Sequence, residues 1–265
     1  MKLRIITALI AMAIFIPFLY VGGHWFAWVI FVLGAIGLYE IAKMKKIKYF
    51  GEIGIISTVA LASVVLPGSY LEQIIPISEP LIIFYICGML LLILTVYRYK
   101  YFNFVDAATL IFAALYIGFG FRFIIEIRNL GLPTMIYLFL VIWSTDTGAY
   151  FVGKHYGSHK LASYISPNKT IEGALGGIIT SLIVTGVYSL IFKLQIPGQD
   201  YIGVLTILIS LAGQFGDLVE SAYKRYFQVK DSGSFLPGHG GVLDRFDSTL
   251  FASIMFMVWV NFAKM

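Results

Sequence analysis

Apolar residues fill this chain in runs of about twenty, divided by short polar joints, and the same pattern recurs from end to end. A transmembrane helix needs ~20 mostly apolar residues to cross ~30 Å of hydrocarbon. The runs therefore predict helices near 3–20, 24–43, 51–67, 78–97, 104–123, 132–153, 170–193, 201–225 and 243–263. Pro76 and Pro80 interrupt the pattern around Glu79, which leaves the start of the fourth helix least defined. No stretch is long or polar enough for a separate soluble domain. The expectation is an all-α integral membrane protein of about nine spans, forming one continuous membrane domain.

Composition supports the bilayer as solvent. Of the 265 residues, 59% are hydrophobic and 12% charged, against about 45–50% and ~25% in soluble domains. Lys2 and Arg4 before an apolar run to Tyr20 superficially resemble a signal peptide. Further spans follow at once and no small-residue cleavage site is evident, so the segment reads as a retained first helix. The single cysteine, Cys87, excludes an intramolecular disulfide.

Charge placement sets the expected orientation. With the N-terminus inside, the cytoplasmic joints carry Lys2, Arg4, Lys43, Lys45, Lys46, Lys48, Arg98, Lys100, Lys154, Lys160, Lys169, Lys224, Arg225, Lys230 and Arg245. The opposite side carries only Arg122, Arg128, Lys193 and Lys264. Nine spans then put the C-terminus outside. The formal net charge of +5 faces anionic headgroups and cytoplasmic anions; no nucleic-acid-binding motif is present.

Chemical potential is distributed unequally. Residues 1–140 read as apolar helices with basic loops, whereas 141–265 hold nearly every reactive side chain. Asp106 is the main exception and reads as a helix-end residue near the interface. Carboxylates within hydrocarbon are costly, yet the sixth helix carries Asp146, the eighth Asp217 and Glu220, and the ninth opens with Asp244 and Asp247. The three-residue spacing puts each of the last two pairs on one helix face. Any one of these acids could simply pair with Lys224, Arg225 or Arg245. As a group they repel unless a cation sits among them, and an oxygen-only set without imidazole or thiolate favours a hard ion such as Mg²⁺.

Two polar loops accompany the acids. Residues 153–170 end in Ser166-Pro167-Asn168-Lys169-Thr170, where Asn168 or Thr170 can cap the seventh helix. A helix N-terminus beside Lys169 is a ready anion site. Residues 230–243 include Gly238, Gly240 and Gly241, whose amides can form an anion-binding nest. His239 reads as a phosphate contact or a loop-stabilising residue, and His155 and His159 as interfacial. The pairs Gly173/Gly177 and Ala212/Gly216 suit close helix packing. A polar cavity opening to the cytoplasm, with lateral access for lipid between the late helices, is expected.

The run Ser221-Ala222-Tyr223-Lys224-Arg225, then Lys230-Asp231, then Leu236-Pro237-Gly238-His239-Gly240-Gly241-Val242-Leu243-Asp244-Arg245-Phe246-Asp247 resembles the signature of the phosphatidate cytidylyltransferases, the CDP-diacylglycerol synthases. Asp146-Thr147-Gly148-Ala149-Tyr150 and Ser166–Gly173 resemble the same family; Tyr223 departs from its usual aliphatic residue or Phe. The resemblance covers roughly the C-terminal half. It implies a Mg²⁺-dependent reaction in which CTP and phosphatidate give CDP-diacylglycerol and pyrophosphate, on the cytoplasmic face of the inner membrane. Asp217, Asp244, Asp247, Asp146 and Glu220 are the candidate metal ligands, and two cation sites are expected, the second ion unidentified. Lys169 and Arg245 join Asp217, Asp244 and Asp247 as candidate catalytic residues. Lys224, Arg225, His239, Gly240, Gly241, Ser166, Asn168, Thr170 and Ser221 are candidate substrate contacts. A homodimer is compatible with the packing motifs and the resemblance. The alternatives are a CTP-dependent polyprenol kinase and, of another class, a cation-coupled transporter.

Overall fold

The computed structural model describes residues 2–68, 79–235, 238 and 240–264. The described residues form nine α-helices: α1 (Lys2–Val21), α2 (Gly23–Met44), α3 (Glu52–Val65), α4 (Pro80–Tyr97), α5 (Phe104–Asn129), α6 (Leu132–Tyr156), α7 (Ile171–Ile191), α8 (Ile202–Tyr226) and α9 (Leu243–Phe262). A short antiparallel pair, β1 (Lys160–Ala162) and β2 (Ser166–Thr170), lies between α6 and α7, and a single 3₁₀ turn, Gln199–Tyr201, precedes α8.

Among the described residues, six helical segments are long and apolar enough to cross a bilayer: α2, α4, α5, α6, α7 and Gln199–Tyr226; Leu9–Val21 and Glu52–Val65 are shorter apolar helices. The chain is thus a multi-pass membrane protein. Its surface agrees, with Trp25, Ile55, Ile183 and Leu190 all strongly exposed, as helices facing lipid require. Pro80 occupies the first turn of α4, with Glu79 at the N-cap, where a missing N–H costs nothing. Pro76 lies outside the described residues. α5 runs past the expected end at 123 to Asn129, because a long arginine such as Arg128 can stay helical while its head reaches the interface.

The chain divides into two compact units. The first comprises Met1–Ile125 and Val229–Asp244, the second Glu126–Gln228 and Arg245–Met265. In the first unit α1 packs on α2, α2 on α3, and α3 on α4. Gly34 of α2 faces Phe121 and Leu61, and Gly118 of α5 faces Val64, so small residues let these helices close. Asp106 sits in the first turn of α5 and forms a reciprocal cap with Asn103. The Asp106 amide donates to Asn103 Oδ1 at 3.0 Å, and the Asn103 amide donates to Asp106 Oδ2 at 3.1 Å. Lys45 approaches at 3.9 Å. The helix-end reading of Asp106 holds, with a basic partner that the sequence did not suggest.

In the second unit α6 and α7 share an extensive interface, and α8 packs against both. Buried hydroxyls satisfy one another across it: Tyr137 with Thr206 at 2.7 Å, Thr206 with Thr185 at 3.2 Å, and Thr145 with Ser210 at 2.8 Å. In hydrocarbon a polar group without an internal partner is costly, so these hydroxyls tie the three helices in one register. Gly173 and Gly177 lie against the backbone of Ala149 and Thr145. This small-residue pair is therefore used within the chain.

Candidate active site

The acids of the second unit come together through backbone geometry first. Gly216 lets α8 approach α9 so closely that a Cβ there would lie 2.5 Å from the carbonyl oxygen of Asp247. The next residue, Asp217, is thereby brought to the start of α9. Asp247 has its Oδ1 accepting from the Ser248 amide at 2.7 Å. It also stands in side-chain hydrogen-bonding reach of Glu220 and within electrostatic reach of Asp217. Asp146 of α6 lies within electrostatic reach of Asp217, Asp247 and Lys169.

Cations surround this group. Lys169, near the end of β2, places Nζ 2.6 Å from Asp217 Oδ2. The β1–β2 pair carries it there: Lys160 faces Thr170 and Ala162 faces Ser166, and Ile171 continues the pairing by donating to His159 O at 2.9 Å. Lys224 donates to Glu220 at 2.8 Å, and Glu220 is only 1% exposed. A carboxylate so enclosed is stable only with its charge matched. Ser221 Oγ donates to Asp217 Oδ1 at 3.4 Å. Arg225 is exposed and its Nε donates to Ile165 O at 3.5 Å, tying α8 to the turn of the hairpin. Arg245 is exposed in the first turn of α9.

The hairpin residues take different roles. Thr170, not Asn168, caps α7: its Oγ1 accepts from the Gly173 amide at 3.1 Å. Ser166 and Asn168 lie on β2, half-buried and exposed respectively. Glu172 binds the preceding loop, accepting from the Ser158 amide at 3.1 Å and from Ser158 Oγ at 3.0 Å, and pairing with His159 Nδ1 at 2.5 Å. His155 faces its own helix, with Nδ1 2.8 Å from Phe151 O.

A second polar centre lies in the first unit. Asp244 Oδ2 accepts from the Ser232 amide at 2.8 Å, Ser232 Oγ at 2.9 Å and the Gly241 amide at 2.8 Å. Gly240 has φ +86°, and a Cβ on it would stand 2.5 Å from Asp244 Oδ2, so this position accepts only glycine without distortion. Gly238 also has positive φ. His239 lies outside the described residues, as do Leu236 and Pro237. Glu40 of α2 joins this centre and was missed from sequence. It is 2% exposed and accepts from the Val242 amide, the Leu243 amide and Ser232 Oγ. Its one available signal was a lone carboxylate in a long apolar run.

Comparison with known proteins now decides the relationship. Residues 2–263 match the model of the cytidylyltransferase family. A phosphatidate cytidylyltransferase of Bacillus subtilis (strain 168) is 45% identical over 255 residues, covering 95% of this chain and 94% of that protein. Phosphatidate cytidylyltransferases of Staphylococcus haemolyticus (strain JCSC1435) and Staphylococcus aureus (strain COL) are 45% and 44% identical, each covering 95% of both chains. This chain belongs to the cytidylyltransferase family. The similarity extends through the N-terminal half, where the sequence motifs alone showed only hydrophobic character.

As a cation site, the second-unit cluster has the right donors: oxygen only, from carboxylates near enough to repel one another. Among the described residues, no three such side chains converge as a ready-made cage.

Proposed function

We propose that this chain transfers a cytidylyl group from CTP to phosphatidate, giving CDP-diacylglycerol for phospholipid synthesis and releasing pyrophosphate. The observation that carries this reading is the similarity, across 95% of the chain, to proteins named for that activity. The acid and base cluster supports it chemically. A phosphate oxygen of phosphatidate forms a bond to the α-phosphorus of CTP, and the bond from that phosphorus to the β-phosphate bridging oxygen breaks. The nucleophile is already an oxyanion near neutral pH, so the protein's task is to neutralise charge and align the attack.

Lys169, Lys224, Arg225 and Arg245 neutralise phosphate charge in this proposal. Lys169, which pairs with Asp217, would be free to turn to a substrate phosphate if Asp217 held a divalent cation. Asp217, Asp247, Asp146 and Glu220 would supply carboxylate ligands or hold those that do, and Asp244 of the first unit is proposed separately as a carboxylate ligand. Bound Mg²⁺ would neutralise phosphate oxygens as charge moves to the leaving group. Ser166, Asn168, Ser221, His239, Gly240 and Gly241 are proposed substrate contacts, while Thr170 shapes the hairpin as a cap.

Nine spans with the N-terminus inside would put the hairpin, the end of α8 and the start of α9 at the cytoplasmic face, where CTP is found. The fifteen-to-four bias of basic residues supports that orientation, and the bacterial relatives support the inner membrane. Phosphatidate would keep its acyl chains in the bilayer. Asp217→Asn and Asp244→Asn should each abolish CTP-dependent CDP-diacylglycerol formation in folded protein. Near-normal turnover in both would sink the assignment of these carboxylates.

A further inference from the structure

We propose that Glu40 is a positioning residue for this reaction, holding the Gly240–Asp244 segment in its working conformation from a helix outside every motif that named the family. The inference rests on the function proposed above. Glu40 lies one turn from the end of α2, whose neighbouring positions Leu38, Ile41 and Ala42 are buried apolar residues. A carboxylate there persists only if donors meet it.

The donors come from far along the chain. Val242 N approaches Oε1 at 2.8 Å, and Leu243 N approaches Oε2 at 3.0 Å across a separation of 203 residues. These amides stand at the start of α9, where no preceding turn supplies carbonyl acceptors. Glu40 therefore caps α9 from another helix, and its charge complements the positive end of the α9 dipole.

The same carboxylate shapes the loop before α9. Ser232 Oγ stands 3.0 Å from Glu40 Oε2 and 2.9 Å from Asp244 Oδ2. Its one proton serves a single acceptor at a time, so this hydroxyl links the two acids. A Cβ on Gly233 would lie 2.5 Å from Glu40 Oε1, and one on Gly241 would lie 2.5 Å from Glu40 Cδ. The loop thus closes directly onto Glu40 at two glycines. Simple helix packing would not require a carboxylate or bring two glycines against it. Glu40 acts through Asp244 and the Gly241 amide.

The test uses the full chain, purified with phosphatidate in mixed micelles, comparing wild type with Glu40→Gln, Glu40→Asp and Ser232→Ala. Glu52→Gln is the control, since Glu52 lies in an exposed ion pair with Arg98. CDP-diacylglycerol formation over a CTP series gives kcat and KM; hydrogen exchange over residues 229–244 and thermal melting report structure. Glu40→Gln should stay folded, exchange faster within 229–244 only, and lose about tenfold or more in kcat, with KM for CTP moving less than about threefold. Glu40→Asp, which keeps the charge, should recover part of that loss, and Glu52→Gln should match wild type.

Glu40→Gln with wild-type kcat and exchange overturns the proposal, as does exchange raised evenly through the protein. Should Glu40→Gln fail to fold, Ser232→Ala decides: a smaller kcat loss with local exchange supports the proposal, and wild-type behaviour overturns it. A wild-type chain that forms no CDP-diacylglycerol overturns the functional reading beneath it. An active wild type with an unaffected Glu40→Gln overturns the Glu40 role alone.

Discussion

Replacing Gly216 by alanine perturbs the site without touching a charged group. The added Cβ would lie 2.5 Å from Asp247 O and 3.1 Å from the Cβ of Phe251. Ordinary contact begins at 3.4 Å, so α8 and α9 must part locally by about 0.9 Å (3.4 − 2.5). Neither neighbour can swing aside, because one is backbone and the other is the root of a side chain. The gap opens beside Asp217 and Asp247. A 1 Å misplacement of reacting groups can cost ~10²-fold in rate, equivalent to about 2.7 kcal/mol of barrier. Overpacking should also cost about 1–3 kcal/mol of stability. Initial rates of CDP-diacylglycerol formation and thermal melting of the purified variant measure the two effects. Gly186→Ala is the matched control: a Cβ there meets nothing within 4 Å, so rate and melting should hold. A folded Gly216→Ala protein with wild-type kcat would refute the claim that close approach of α8 and α9 sets the carboxylate geometry.

Other expectations follow from single contacts. Lys169→Ala removes the 2.6 Å partner of Asp217 and should lower kcat/KM for CTP at least about tenfold, while Lys169→Arg recovers part of it, by steady-state kinetics. Thr170→Ala removes the cap of α7 and should cost about 0.5–2 kcal/mol of stability in thermal melting, with Thr170→Ser nearly neutral. Lys224→Met leaves Glu220, 1% exposed, without its 2.8 Å partner. It should destabilise by about 3–5 kcal/mol, and Glu220→Gln combined with Lys224→Met should melt higher than Lys224→Met alone.

Much of the fold was legible because bilayer thickness imposes a length on every apolar run. Eight of the nine expected helices needed only small changes at their ends, while α5 extends to Asn129 because charges near a helix end do not stop it. The hairpin at 160–170 was not legible: Ser166-Pro167-Asn168-Lys169 has turn-forming rather than strand-forming residues, and only pairing with Lys160–Ala162 makes it extended. The acids of α6, α8 and α9 were legible because carboxylates in apolar helices are costly and so call for a reason. Their partners were less so, since Lys169 meets Asp217 across a long separation through that hairpin. Glu40 escaped notice because one acid in an apolar span has no local pattern. Its meaning depends on amides more than 200 residues later. The small-residue pairs were read correctly as packing devices, but Gly173 and Gly177 meet α6, and Gly216 meets α9, all within one chain. They therefore lend no support to a dimer.

The central claim is attack at the α-phosphorus of CTP by a lipid phosphate, and the leaving group reports it most directly. Purified protein given phosphatidate, Mg²⁺ and CTP labelled separately at the α- and γ-phosphates should move the α label into CDP-diacylglycerol and release the γ label as pyrophosphate. Appearance of the γ label on a lipid, with CDP released, would contradict the claim and identify a lipid kinase.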